Sequence, residues 1–470
     1  DTDNQKLRKK GLMLRVRRIG GRYFQTIKAS GNLAPIERDE WETEIATDKP
    51  DLSLANGTAL EPLITNKLRR RLRPLFETRV RRAIYSVVDN THAIALSVDR
   101  GTIDTGTRSV PLCEIELELK RGSAAKLFDV ARELTRTLQA RLAVKSKSER
   151  GYEIIDGQQE LPIKAVPIGL SADASTRDAF KMIGLACLKQ VIDNESALIN
   201  GDPEGVHQMR VGLRRLRAGM SLFAVLLHDL QTTKIKAELK WLAGELGPAR
   251  EFEVLVNRVI APMRRQRSYW RGMPSLSHEI AERRDAAQKG ARDAVQSAHF
   301  RKLILDVAAW LEVGQWTNPQ DDLVRDRGDL PIAVFAAEQL TRRWRKVRKI
   351  DSALARLNTH SRHKLRIQAK KLRYATEFFS SLFTSKRAVK RRKQFLAALE
   401  RLQDGLGDLN DISVHKERIA AMGTHHRRSN PSRVFVAGLL TGREDARTEA
   451  AMRAAMEAYA DLSVVKAFWR

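Results

Sequence analysis

Three glutamates alternate with apolar residues in Glu114-Ile115-Glu116-Leu117-Glu118-Leu119-Lys120. A period of two places Glu114, Glu116, Glu118 and Lys120 on one face of a strand and Ile115, Leu117 and Leu119 on the other. Carboxylates so close together repel unless a cation lies among them. Hard divalent ions such as Mg²⁺ or Mn²⁺ prefer such oxygens. Other short alternating segments bring the opposite sign. Arg15 and Arg17 share a face, as do Arg79 and Arg81. Lys28 ends the stretch Tyr23–Lys28, Arg38, Glu40 and Glu42 alternate across Trp41, and Asp99 shares a face with Ser97. Two chemistries are open. One is a wet antiparallel sheet whose charges pair across strands. The other is a closed sheet with its charges inside, where acids hold a metal and Arg and Lys hold phosphate oxygens.

A second set of charges stands on helices. His207-Gln208-Met209-Arg210-Val211-Gly212-Leu213-Arg214-Arg215-Leu216-Arg217 repeats as His363-Lys364-Leu365-Arg366-Ile367-Gln368-Ala369-Lys370-Lys371-Leu372-Arg373, at an offset of 156 residues. At about 100° per residue, His207, Arg210, Arg214 and Arg217 fall on one arc, with Met209, Leu213, Leu216 and Met220 opposite. In the second copy His363, Arg366, Lys370 and Arg373 face away from Leu365, Ala369 and Leu372. An ordinary solvated face mixes signs to limit repulsion at i,i+4. These two faces carry no acid over more than two turns. A row of cations over about 15 Å of helix suits a linear polyanion with closely spaced charges. The histidines have no His or Cys neighbour at i+3 or i+4, so they read as phosphate donors or proton-tunable charges rather than metal ligands.

The elements that must position these groups divide the chain. Residues 12–120 read mostly as strands, with helices expected over Glu61–Arg73 and Ser123–Ala143. Gly157–Leu170, with Pro162 and Pro167, reads as a linker. From Ser171 the apolar spacing is helical throughout. The expected class is α+β: an antiparallel β tunnel covered by helices over 1–165, then an all-α domain of two pseudo-symmetric bundles over 171–470. The 470 residues carry a net charge of +28, of which +8 lies in residues 1–170 and +20 beyond. Such a field draws polyanions. Aromatic content is only 6%, which disfavours stacking of single-stranded nucleic acid. No apolar run approaches the ~20 residues of a membrane helix. Two cysteines make no disulfide framework, which fits a reducing, cytoplasmic setting.

The paired basic helices resemble the conserved-histidine α-helical, or CHAD, domain over about residues 171–470. Leu246-Gly247 before Glu251 and Leu406-Gly407 before Asp411 fit its pattern, with Glu251 where the pattern has Asp. The resemblance implies two four-helix bundles that bind inorganic polyphosphate through His207, Arg210, Arg214, Arg217, His363, Arg366, Lys370 and Arg373, with association to polyphosphate granules.

The order of the strand segments resembles the CYTH, or triphosphate tunnel metalloenzyme, superfamily over about residues 1–165. The pieces that carry it are Leu12–Arg17, Gln25–Lys28, Arg38–Glu42, Arg79–Arg82, Asp99-Arg100-Gly101 and Glu114–Gly122. CYTH fused to CHAD is a familiar bacterial arrangement. The resemblance implies a hydrolase of inorganic triphosphate, or a related triphosphate, that uses Mg²⁺ or Mn²⁺. Glu114, Glu116 and Glu118 would hold the metal. Arg15, Arg17, Lys28, Arg38, Arg79, Arg81 and Lys120 would hold the triphosphate, and Glu40 would steer the attacking water. The superfamily opens with a Glu-x-Glu-x-Lys strand, and none stands before Arg15, so this sequence is expected to be a fragment. Two other readings remain at this stage: a non-catalytic polyphosphate scaffold and a nucleic-acid binder.

Overall fold

The computed structural model describes residues 1–29, 39–158, 160–266, 270–349, 354–424 and 431–469. The chain divides into two units, Asp1–Leu161 and Pro162–Arg470.

In the first unit, strands β1 (Leu12–Ile19), β2 (Arg22–Ala29) and β3 (Asp39–Ile45) form one antiparallel sheet, and β4 (Glu77–Val88), β5 (Ala93–Asp104) and β6 (Ser109–Arg121) form another. Alternation decides the faces. Leu12, Leu14, Ile27 and Trp41 lie on one side of the first sheet and pack with Leu7, Leu52, Leu60 and Leu68. The charged residues take the other side. A closed tunnel requires edge-to-edge hydrogen bonds. Among the described residues the strands instead make two separate three-stranded ladders, so the expected closure is not seen.

The helix expected over Glu61–Arg73 is broken. Glu61–Leu63 form a 3₁₀ turn with Pro62 in it, Ile64 and Thr65 are extended, and α1 (Asn66–Arg71) starts only after the Thr65 side chain accepts from the Leu68 amide. α2 spans Ala125–Thr137 and runs beside β6. α3 (Lys147–Asp156) begins with a capping box between Ser146 and Glu149. It lies over the same face of the second sheet that bears the acids, with Ile154 buried on Ile103 and Leu112. Gly101 permits the pairing of β4 with β5, since a Cβ there would overlap the Arg79 carbonyl.

The second unit is helical: α4 (Thr176–Asp193), α5 (Glu195–Ile199), α6 (Pro203–Leu222), α7 (Leu230–Glu245), α8 (Gly247–Leu255), α9 (Ala261–Gln266), α10 (Met273–Gln296), α11 (Ala298–Val313), α12 (Asp322–Asp329), α13 (Ile332–Arg348), α14 (Thr359–Phe378), α15 (Lys386–Thr424) and α16 (Pro431–Val464). The 156-residue offset extends far beyond the basic motif. It carries the starts of α4, α6 and α7 onto those of α13, α14 and α15. Ser175 forms an antiparallel bridge with Pro331, its own equivalent. Thr176 N donates to Leu330 O at 2.8 Å, and Ile332 N donates to Ala174 O at 2.9 Å. Such reciprocal bonds between equivalent positions are the mark of a twofold axis. Phe223 and Phe379, also equivalent, meet with ring centroids 6.1 Å apart in the shared core.

Candidate functional site

The charged face of the first sheet gathers Arg15, Arg17, Lys28 and Glu40, which the register places with Thr26 and Glu42. Arg15 Nη2 donates to Thr26 Oγ1 at 3.1 Å, Arg17 to Glu42 at 2.9 Å, and Lys28 Nζ to Glu40 at 2.6 Å. Arg15 also lies 3.8 Å from Glu40. Burial lowers the Arg15 pKa, as does the charge of Arg17 and, from the second sheet, that of Arg82. The charged faces of the two sheets are therefore near neighbours. The buried Nε of Arg15 and of Arg17 has no hydrogen-bond partner among the described residues.

On the second sheet, Asp99, Glu114 and Glu116 bring carboxylate oxygens within 4.8 Å of one another. Register causes this. Asp99 pairs with Arg82 on one side and Glu114 on the other, so all three share a face. Asp99 is fully buried and accepts both arms of the Arg82 guanidinium at 2.7 Å. Arg82 reaches Glu116 as well, at 2.6 Å. Lys147, the first residue of α3, lies 2.9 Å from Asp99 and 2.6 Å from Glu116, and contacts Glu114. Hydrogen bonds from Arg82, then from Lys147, hold Asp99 down to about 2 against its burial. Burial pushes Glu116 up, but Lys147 and Arg82 pull it lower. Burial opposes the charge on Lys147, and its three carboxylate partners raise its pKa.

Several expected members fall elsewhere. Glu118 is two-thirds exposed and accepts from Lys120 at 2.6 Å, so both sit outside the acid trio. Arg79 and Arg81 occupy the opposite face of β4, where Arg79 pairs with Glu77. Arg82 takes the place expected of them, because one residue of register turns a strand side chain to the other face. Arg38 lies outside the described residues. Asp99, Arg82 and Lys147 were not among the expected ligands. The Ser146-x-x-Glu149 pattern announces the helix that delivers Lys147, whereas strand register has no such local signal.

The trio offers hard oxygen donors, which suit Mg²⁺ or Mn²⁺. The Lys147 ammonium stands among those oxygens and stands in for a cation. A divalent ion held by Asp99, Glu114 and Glu116 requires Lys147 to withdraw.

In the second unit the equivalent rows of α6 and α14 come together. Burial, then the charges of Arg366, Arg214 and Arg210, push Lys370 down to about 7. Arg366 and Arg210 are lowered by burial, with Arg214 adding to each. Arg210 donates to the Ala243 carbonyl at 2.9 Å, and Arg366 lies 3.9 Å from Asp411. The buried Nε of Arg210, Arg214 and Arg366 has no partner among the described residues. Arg217 is exposed, and Arg373 is tied to Glu377 at 2.8 Å.

The two histidines differ. Burial, then the charge of Arg250, pushes His207 down to about 4. His363 is exposed, with Nδ1 3.3 Å from Asn410 Oδ1. Acids near the rows are engaged crosswise. Arg258 reaches Asp408 at 2.7 Å and Asp411 at 3.4 Å, while Arg418 contacts Glu251. Each repeat thus lends a cation to the acids of the other, Arg258 being shared between Asp408 and Asp411, and the central cations still outnumber the acids beside them.

Comparison with known proteins agrees with this division. The CHAD domain matches residues 183–420, half of the chain, and the CYTH domain matches residues 1–152. The inorganic triphosphatase of Haemophilus influenzae is 35% identical over 81 residues, which are 17% of this chain and 23% of that relative. The chain thus matches less than a quarter of that relative's length. The crystal structure of the CHAD domain from the plant Ricinus communis covers 65% of this chain and 98% of its own, at 29% identity and a TM-score of 0.55. PptA from Streptomyces chartreusis covers 61% of this chain and 100% of its own, at 19% identity and a TM-score of 0.44. The chain belongs to the CHAD family and carries a CYTH domain ahead of its CHAD domain.

Proposed function

We propose that the helical unit binds inorganic polyphosphate through Arg210, Arg214, Arg366 and Lys370, and that the strand unit hydrolyses inorganic triphosphate or a related triphosphate. The carrying observation is the meeting of these four cations from equivalent helices, beside acids that are shared with Arg258 and Arg418. A linear phosphate chain supplies closely spaced oxygens that satisfy such a row at once. His207, Arg217, His363 and Arg373 flank the cluster on the same helices.

In the strand unit, Arg15, Arg17, Lys28 and Arg82 neutralise the phosphate chain and the charge that grows on the leaving pyrophosphate. Asp99, Glu114 and Glu116 are the residues that would hold Mg²⁺ or Mn²⁺, which supplies Lewis acidity toward phosphate oxygens when bound. Glu40, between Lys28 and Arg15, is assigned to orient the attacking water. The triphosphatase activity of the Haemophilus relative and the CYTH match support this reading. The test is phosphate release from inorganic triphosphate with Mn²⁺. Turnover by the parent and its loss in E116Q support it, and equal turnover in both contradicts it.

The second reading is a non-catalytic polyphosphate scaffold resident on granules. Lys147, seated inside the acid trio, favours it. Absence of turnover together with retained polyphosphate binding would establish it. A nucleic-acid role would show as DNA displacing polyphosphate at equal salt.

A further inference from the structure

α13 is two-sided. Arg343, Trp344 and Val347 are buried, whereas Arg342, Arg345, Lys346 and Lys349 are exposed. The spacing i, i+3, i+4, i+7 lines the four exposed cations along one side over about 10 Å. They border a cleft of about 720 Å³ whose lining includes Trp469, itself fixed by an Nε1 bond to Thr341 Oγ1 at 2.9 Å. Glu338, the acid of this lining, is engaged by Arg327 at 3.4 Å. No carboxylate pairs with any of the four cations among the described residues.

The fold itself does not demand this row. At the equivalent positions α4 carries Ala186, Lys189, Gln190 and Asp193, and Asp193 neutralises Lys189 at 3.0 Å. The helix dipole favours cations in a last turn. That term acts on both helices alike and explains neither Arg342 nor the difference between them. The row also continues from the central cluster. Lys371, next to Lys370 on α14, is lowered by burial and then by the charges of Arg343, Lys346 and Arg217. Lys346 therefore neighbours both Lys371 of α14 and the α13 cleft.

We infer that the α13 cleft is a second phosphate subsite, which takes the continuation of a linear polyphosphate beyond the central cluster, an inference that rests on the polyphosphate reading above. A short chain satisfies the centre alone, and a long chain engages both. The asymmetry between the repeats gives the bound polymer a preferred exit over one of them.

The experiment compares the full chain with R342Q/K346Q/K349Q, all at exposed positions, against short-chain and long-chain polyphosphate at several salt concentrations. The expected result is a loss of about tenfold or more for the long chain, with the slope of log K against log salt shallower by about 2. Short-chain affinity should change by less than about twofold. Equal losses for both chains, or no loss for either, would overturn the subsite while leaving the central reading in place. A parent that binds neither chain would remove the central reading and the subsite together. Unchanged melting of the variant checks that only the surface was altered.

Discussion

Arg214 and Lys370 occupy equivalent positions of the two repeats, and with burial as the largest cause the charge of Arg214 helps hold Lys370 down to about 7. Two cations so placed destabilise each other until an anion arrives. The same neighbourhood contains Arg366, Arg210 and one acid, Asp411.

The first prediction concerns pH. Lys370 has a folded pKa below its ordinary 10.5, so the unfolded chain binds more protons between about 7 and 10.5. Stability from this residue therefore rises with pH across that window. Polyphosphate favours the charged form, so binding takes up a proton above pH 7. Affinity should fall by up to about tenfold per pH unit as pH rises above 7. Calorimetry in buffers of different ionisation enthalpy measures the uptake. K370R should abolish it, and identical uptake in K370R would refute the assignment.

The second separates Asp99 from Glu118. Removing the Asp99 charge strips Arg82 and Lys147 of a buried partner. D99N should cost about 2–3 kcal/mol, at the low end for a broken buried pair because Arg82 is partly exposed and can turn to Glu116. E118Q should stay within about 0.5 kcal/mol, since Glu118 meets only Lys120 at the surface. Urea melts of the full chain, followed through the strand unit, check both. Equal costs would show that the trio is not an organised cluster.

The third concerns metal. Lys147 shields the carboxylates of Asp99, Glu114 and Glu116 from one another. Its neutralisation in K147Q leaves the three acids with Arg82 and with Arg150 of α3, which lies 3.4 Å from Glu114. Mn²⁺ affinity, measured by calorimetry without substrate, should rise by about tenfold or more. Weaker binding in K147Q would mean that the ammonium orders the site instead of competing for it.

Much of this arrangement was legible in the chain. The helical repeat stands in the sequence because 3.6-residue periodicity is local, and His207–Arg217 against His363–Arg373 also fixes the axis that joins Ser175 to Pro331. The alternation at Glu114–Lys120 identifies a charged strand face. What it does not carry is which strands neighbour it or in what register. Asp99 and Arg82 enter the cluster only through pairing of β5 with β4 and β6. Glu118 leaves it because α3 covers only the part of the face around Glu114 and Glu116. The pairing of Glu251 with Arg418 and of Asp411 with Arg258 is likewise tertiary, as both join residues more than 150 positions apart.

The most direct test of the central claim is the binding of long-chain polyphosphate to the full chain and to R210Q/R214Q/R366Q/K370Q, as a function of salt. The apolar sides of α6 and α14 are untouched by these changes, so the melting temperature should hold or rise as repulsion is relieved. The account predicts tight binding by the parent with a steep salt dependence, and a loss of about a hundredfold or more in the variant, with a slope shallower by about 3. Parent-like affinity and slope in the quadruple variant would contradict it.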